Sequence, residues 1–158
     1  MKYFVANREE FIKIRTLEDM GCEVFVIDTL DNLEQHLSSI EELIGHFNSY
    51  IEWDNMFTIE NVVERVKKGI IVVLTYFKHK PVGYIFIDKG WVYNLFVSKL
   101  NERPTKTFLS LCNKAFELAI ERYGITAWEC EDWNKPMFLV AKTSGMREIN
   151  YSLKLELT

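Results

Sequence analysis

The segment from Trp91 to Met146 constrains the fold of this chain more than any other. Its hydrophobic periodicity predicts a strand, a loop, a long amphipathic helix, a second strand and a short helix that ends on a glycine. These elements cover residues 91–97, 98–107, 108–123, 125–131 and 134–145. A loop between a strand and a helix can present backbone N–H groups and the positive end of the helix dipole to a phosphate group. The sequence therefore raises the question of whether residues 98–107 bind phosphate.

The rest of the chain also shows clear periodicity. Asn7 and Glu10 form a capping-box pattern, which predicts an N-terminal helix. One apolar stripe over residues 30–51 predicts a long amphipathic helix with a break near Gly45. Strict alternation of apolar and polar residues over 149–157 predicts a strand with one buried face. The other predicted elements are strands at 23–28, 70–77 and 82–88 and a helix at 58–68. The apolar face of the helix at 108–123 carries Phe108, Leu111, Cys112, Ala115 and Phe116.

Length and composition indicate one globular domain over residues 1–158, with an N-terminal extension at 1–22 and a core at 23–157. Hydrophobic residues make up 48% of the chain and charged residues 27%, which is ordinary for a globular protein. A chain of 158 residues is long enough to bury a sizeable core. The sequence has no internal repeat, no low-complexity tract and no linker rich in Pro, Gly or Ser, so a second domain is not predicted.

Charge, hydropathy and cysteine content argue against several classes of protein. The formal net charge of −4 argues against a nucleic-acid-binding protein, because such proteins usually present an excess of positive charge. No apolar run reaches the length of about 18 residues that spans a bilayer, so no membrane partner is predicted. The three cysteines are odd in number and lack a CxxC spacing, which predicts free thiols in a reducing cytoplasm. The three histidines lack metal-ligand spacing, so no metal site is predicted.

The order of elements over residues 23–157 resembles the GNAT superfamily of N-acetyltransferases, which have the acyl-CoA N-acyltransferase fold. In that family a short helix follows an Asn and closes on Gly-Phe, in the pattern N-x-x-A-x-x-L-Y-E-K-L-G-F. Residues 134–146 (NKPMFLVAKTSGM) keep this register, with Asn134 at the Asn, Val140 at the Leu and Gly145 at the Gly. The resemblance implies an α/β fold with a mixed, mostly antiparallel sheet flanked by helices, and acetyl-CoA as the co-substrate.

The resemblance also locates a loop for the diphosphate of coenzyme A. The family pattern is Arg/Gln-x-x-Gly-x-Gly/Ala, whose glycines let the backbone approach the diphosphate. The matching residues 103–108 (RPTKTF) keep the Arg but place Lys106 and Phe108 where glycines are expected. Side chains near a helix N-terminus can bind phosphate instead. The candidates are Arg103, Thr105, Lys106 and Thr107. The alternative is a plain helix start, with Pro104 in the first turn and the charges in solvent.

Other cofactor contacts follow from the resemblance. In the family the fourth core strand splays from the fifth, and its free backbone groups pair with the pantetheine arm. This implies contacts from the backbone of Leu95, Phe96 and Val97, and Asn134 is a further candidate. Asn94 lies in the middle of an apolar strand, where it is either a satisfied core amide or a substrate contact.

Acid–base residues are less clearly assigned. The general-acid Tyr of the family falls on Ala141, which cannot donate a proton. Tyr93, Tyr123 and Cys130 are possible replacements, and their spacing selects none of them. For the general base, the matching strand offers Glu129 and Glu131, which alternate onto one face with Ala127. A carboxylate at the mouth of an apolar cleft can take a proton from an ammonium group. The alternative is that both are solvent-facing residues at a strand end.

Two hypotheses about function follow. The first is an N-acetyltransferase that moves an acetyl group from acetyl-CoA to a primary amine of a small molecule or a protein, by direct attack on the thioester. The second is a catalytically silent GNAT-like protein used for binding or assembly, for example a virion-associated phage protein. The lost glycines and Ala141 favour the second; Arg103 and Asn134 favour the first, which we adopt. The expected location is the cytoplasm, or the virion under the second hypothesis, and a homo-oligomer or protein assembly remains open.

Overall fold

A computed structural model describes residues 1–14, 22–50, 57–99 and 104–157. They form a mixed, mostly antiparallel sheet with helices on both faces, which confirms the predicted fold class. The strands are β1 Lys2–Asn7, β2 Cys22–Ile27, β3 Ile71–Phe77, β4 Lys80–Asp88, β5 Trp91–Val97, β6 Ile125–Cys130 and β7 Arg147–Ile149. The helices are α1 Leu30–Gln35, α2 Leu37–Ser49, α3 Ile59–Lys67, α4 Pro104–Tyr123, α5 Lys135–Thr143 and α6 Tyr151–Leu157.

The strand order in the sheet is β2-β3-β4-β5-β6-β1-β7. Strands β3, β4 and β5 form a meander, because two short turns connect them and each adjacent pair is antiparallel. The pair β5–β6 is parallel, and α4 makes the long crossover that a parallel pair requires. This parallel pair divides the sheet into two antiparallel halves.

Each face of the sheet covers its own hydrophobic cluster. Alternate residues of β3 belong to different clusters, as period-two geometry requires: Ile71 lies in one and Val72 in the other. We call the face covered by α4 and α5 the α4 face, and the face covered by α1, α2 and α3 the α3 face. The predicted apolar side of α4 is confirmed. Phe116 on that side is fully buried, and Phe108 is partly buried.

The N-terminal residues belong to the sheet and do not form an extension. Strand β1 lies between β6 and β7, and its residues Phe4, Val5 and Ala6 are buried. The capping-box hydrogen bonds do form, since Asn7 Oδ1 accepts from the backbone N of Glu10 at 2.9 Å and Glu10 Oε1 accepts from Asn7 N at 3.1 Å. They close a turn, however, and residues 11–14 are irregular. The predicted helix is therefore wrong over residues 8–14, and its remainder lies outside the described residues.

The strand predicted over 149–157 is also wrong. Strand β7 ends at Ile149, and Asn150 Oδ1 then accepts a hydrogen bond of 2.8 Å from the backbone N of Leu153, which caps helix α6. Tyr151 is 58% exposed and Leu155 is 53% exposed, so the expected buried face does not exist. The position beside β6 that would bury a long C-terminal strand is occupied by β1.

The helix predicted over 30–51 is divided at His36 and not at Gly45. The Nδ1 atom of His36 lies 2.9 Å from the hydroxyl of Tyr76 on β3. The chain turns at His36 from α1 into α2. Gly45 lies inside α2, where no atom comes within 4 Å of the position a Cβ would take.

Gly145 is expected to be far less tolerant of substitution than Gly45. It follows α5 with φ +80°, and a Cβ there would collide with the backbone carbonyl oxygen of Glu10. Gly145→Ala should therefore lower the free energy of unfolding by about 1–3 kcal/mol, the usual cost of enforced backbone strain. The matched control, Gly45→Ala, should raise it by up to about 1 kcal/mol, because Ala favours a helix interior. Urea denaturation of both variants checks this, and equal effects would contradict the described turn.

Candidate active site

The parallel strands β5 and β6 separate soon after they meet. They pair only at Trp91 with Ala127 and at Val92 with Trp128. Beyond this point β5 continues beside β4, and β6 continues beside β1. A V-shaped opening results, and the edge of β5 that faces it has no ladder partner among the described strands.

A β-bulge lies on β5 at this opening. Tyr84 pairs with Phe96 while Phe86 pairs with Tyr93, so two residues of β5 stand opposite one residue of β4. Asn94 is at the bulge with φ +56°, a conformation that Asn adopts more readily than most residues. Bulges redirect the backbone and often occur beside active sites. The sequence left Asn94 as either a satisfied core amide or a substrate contact. Its position at the bulge and in the opening favours the substrate contact.

A cleft of about 680 Å³ occupies the opening. Its lining includes Phe47 and Phe57, then Asn61 and Arg65 of α3, residues 92–95 of β5, residues 128–131, Asn134 and Met137 near the start of α5, and Met1. The volume is in the usual range for small-molecule sites. The cleft therefore joins the two faces of the sheet at the point where the strands part.

The cleft is lined by five of the residues proposed as general base, substrate contact or cofactor contact: Asn94, Leu95, Glu129, Glu131 and Asn134. Both glutamates are exposed. Trp128 and Cys130 pack into the α4-face cluster and Ala127 does not, so period-two geometry directs Glu129 to the α3 face. Asn134 also caps α5, because its Oδ1 accepts a hydrogen bond of 3.4 Å from Met137 N.

Of the other proposed cofactor contacts, those that the structure describes are not among the residues that line the cleft. Phe96 is buried in the α3-face cluster, so only its backbone is available, and Val97 ends β5. Thr105 and Lys106 are exposed in the first turn of α4. Thr107 is fully buried with its hydroxyl 4.0 Å from the sulfur of Cys22, so this side chain faces the protein interior. Arg103 lies outside the described residues.

The structure distinguishes among the candidate proton donors. Tyr93 and Cys130 line the cleft, whereas Tyr123 is at the far end of α4 and does not. Burial raises the pKa of the Tyr93 hydroxyl against the opposing effect of Arg65, and burial likewise raises the pKa of the Cys130 thiol. Both groups therefore carry a proton at neutral pH. Ala141 is fully buried and offers none.

Sequence reasoning missed Arg65, a positively charged residue that lines this cleft. It is on α3 beside the buried Val66 and three residues after the buried Val62, so it shares their side of the helix. Its guanidinium carbon lies 4.9 Å from the ring centre of Phe57, 5.0 Å from that of Phe86 and 5.6 Å from that of Tyr93. The sequence signal that could have identified it is a charged residue on the apolar side of a predicted helix.

A metal site and a membrane-spanning helix are both absent from the part of the chain that the structure describes. No group of three His, Cys, Asp or Glu side chains there is placed to hold a metal ion. No helix there is long and apolar enough to cross a membrane.

Solved structures with this fold include several acetyltransferases. A Drosophila protein aligns over 94% of this chain and 47% of its own at TM-score 0.64 and 13% identity. A GCN5-related N-acetyltransferase from Kribbella flavida aligns over 92% of this chain and 53% of its own at TM-score 0.54 and 12% identity. An aminoglycoside acetyltransferase from an uncultured soil sample aligns over 80% and 88% at TM-score 0.58 and 14% identity. No protein-family model and no curated protein matches the sequence.

These comparisons establish the fold. The chain has a GNAT-like fold, as the register of residues 134–146 implied. It spans about half the length of the Drosophila and Kribbella proteins, 47% and 53%. Activity and substrate are matters of the site, since one fold serves many functions.

Proposed function

We propose that this protein transfers an acetyl group from acetyl-CoA to a primary amine. The observation that carries the proposal is the V-shaped opening between β5 and β6, with its bulge at Asn94 and its cleft. A free strand edge can pair with the amide groups of an extended ligand in the way that an added strand pairs with a sheet. The backbone of Leu95, Phe96 and Val97 provides such an edge for the pantetheine arm.

The residues in the cleft supply the groups that acyl transfer needs. Bound acetyl-CoA supplies an acyl group activated as a thioester. Glu129 or Glu131 takes a proton from the attacking amine as the C–N bond forms. A backbone N–H of β5 near Asn94 stabilises the negative charge that develops on the carbonyl oxygen. Tyr93 or Cys130 gives its proton to the sulfur as the C–S bond breaks.

Phosphate binding is assigned to the start of α4. Lys106 and Thr105 are exposed in its first turn, where the N-terminal N–H groups and the helix dipole favour an anion. Arg103 comes just before this turn in the sequence. The buried hydroxyl of Thr107 is left out of this assignment, although its backbone N–H is in the same turn.

The binding of acetyl-CoA tests the proposal. Isothermal titration should give about micromolar affinity, worth roughly 8 kcal/mol, with a rise in melting temperature. The double variant Arg103→Ala/Lys106→Ala should weaken binding by about 1–3 kcal/mol for each lost contact, because hydrogen bonds to charged groups are of this size. Lys68→Ala is the control: this exposed lysine follows α3, next to the start of β3, and should leave affinity unchanged.

A negative result has an equally definite meaning. If millimolar acetyl-CoA produces neither heat nor a thermal shift, the enzyme proposal fails. The bulky residues Lys106 and Phe108, and Ala141 in place of the family's general-acid Tyr, would then favour the catalytically silent binding or assembly protein.

A further inference from the structure

The guanidinium of Arg65 is held in the cleft by aromatic rings. Phe57, Phe86 and Tyr93 all lie within cation–π distance of it. Such rings stabilise a cation that has lost part of its water shell. The rings allow Arg65 to stay charged inside the cleft, but they can accept hydrogen bonds from few of its five N–H groups.

One end of this guanidinium has no hydrogen-bond partner among the residues that the structure describes. Its Nη1 atom is buried and unpaired. Within the described ranges no carboxylate forms an ion pair with Arg65, and the neighbouring Glu64 pairs with Lys67 at 3.5 Å. Asn61, one turn away, uses its side chain in the capping box of α3. A buried donor without a partner is costly, and an anion that pairs with the same guanidinium offsets part of that cost.

The charges of the cleft are arranged on one face of the sheet. Arg65 belongs to α3, and Glu129 projects to the α3 face, while both line the same cleft. The carboxylates of Glu129 and Glu131 suit an ammonium group. The free donors of Arg65 suit an anion, and a carboxylate matches its planar fork. A ligand complementary to this cleft carries both charges.

We propose that Arg65 binds a carboxylate on the acceptor, so that the substrates of this site are amino acids or other amines that carry a carboxylate. This inference rests on the proposed acetyl transfer. The amine faces Glu129 and Glu131, and the guanidinium of Arg65, which lines the same cleft, pairs with the carboxylate. The planar acid group pairs with a guanidinium that the aromatic rings already hold in place.

Pairs of acceptors that differ only in charge test this directly. Glycine, β-alanine and 5-aminopentanoate are each compared with the matching primary amide, at saturating acetyl-CoA, by the initial rate of coenzyme A release. For at least one chain length, kcat/KM should be about 10–100-fold higher for the carboxylate, the range set by one charge-assisted hydrogen bond. Equal values for every pair, in a wild-type protein that binds acetyl-CoA, would overturn the inference and leave the proposed function intact.

Variants at Arg65 show whether this residue carries the preference. Arg65→Gln should abolish the preference for the carboxylate acceptor by raising its KM. The kcat/KM for the amide acceptor should change little. Arg65→Lys keeps the charge without the planar fork and should retain part of the preference. Lys68→Gln, at the exposed end of the same helix, should change nothing. A full preference retained in Arg65→Gln would assign carboxylate recognition elsewhere and overturn the inference.

Two further measurements keep the test decisive. Circular dichroism shows whether Arg65→Gln folds, and if it does not, the wild-type acceptor pairs decide alone. If acetyl-CoA does not bind, the proposed function fails, and thermal shifts with the same acceptors in wild type and Arg65→Gln still test the site. A shift by the carboxylate and not the amide, lost in the variant, would support the role of Arg65; no shift with either would refute it.

Discussion

Glu129→Gln is expected to reduce kcat by about 10²–10⁴-fold at neutral pH, the usual contribution of a general base. Glu129 lies one residue beyond the last parallel pair of β5 and β6, across the cleft from Tyr93 and the bulge at Asn94. This is where the proposed thioester and amine meet. Gln keeps the shape of the side chain but cannot take the proton of an ammonium. Steady-state rates with saturating acetyl-CoA and the best acceptor measure the effect.

The pH profile separates loss of a base from loss of structure. A primary amine with a pKa of about 10.4 is mostly protonated at pH 7. Without the base, the rate should rise as pH increases toward that value, because more of the amine is already deprotonated. The deficit of Glu129→Gln should therefore shrink at high pH. Glu131→Gln is the matched control, with a smaller expected loss since Glu131 follows the end of β6. A Glu129→Gln enzyme as active as wild type at pH 7 would exclude this residue as the base.

The central part of the fold was predictable because its signals are local. Residues 91–97, 104–123, 125–130 and 135–143 form the elements that the sequence predicted, with differences of a few residues at their ends. Each has a clear period and a stop signal, such as Gly124 after α4 or Gly145 after α5. Where the local pattern agrees with the tertiary environment, periodicity is enough.

The predictions for the two ends of the chain were wrong because pairing between strands that are distant in sequence determines the structure there. The hydrogen bonds of Asn7 and Glu10 form as predicted, yet they close a turn because Asn7 is the last residue of β1 and belongs to the sheet. At the other end, leucines two residues apart fit a strand, but Asn150 caps a helix and β1 already fills the place beside β6. Which strand occupies a position in a sheet is a long-range property that a local pattern does not contain.

The candidate site shows the same division. Glu129, Glu131, Asn94 and Asn134 could be proposed from their strands and caps, and all four line the cleft. Arg65 was indicated only by its charge on the apolar side of α3. Its aromatic partners come from β4, β5 and a residue before α3, so its place in the cleft is visible only in the folded chain. The burial of Thr107 was equally invisible, since at its position only the rotation of α4 decides which side chains face inward.

Phe116→Ala is expected to destabilise the protein by about 3–5 kcal/mol, the range for removing a large buried aromatic side chain. Phe116 has no exposed surface, and its ring lies 5.2 Å from that of Trp128 at 79°, an edge-to-face contact. The substitution removes this contact and leaves a cavity between α4 and the sheet. Urea denaturation followed by circular dichroism measures the free energy of unfolding.

Two further variants help to interpret the result: one replaces Phe116 with a different residue, and the other lies elsewhere on α4. Phe116→Leu keeps much of the volume and should cost less than Phe116→Ala, because the cavity is smaller. Tyr123→Ala removes an aromatic ring that is 38% exposed at the end of α4 and should change stability by about 0.5 kcal/mol or less. A loss below about 1 kcal/mol for Phe116→Ala would mean that α4 presents a different face to the sheet. Because Trp128 lines the cleft beside Glu129, that outcome would also displace the candidate base from the position proposed for it.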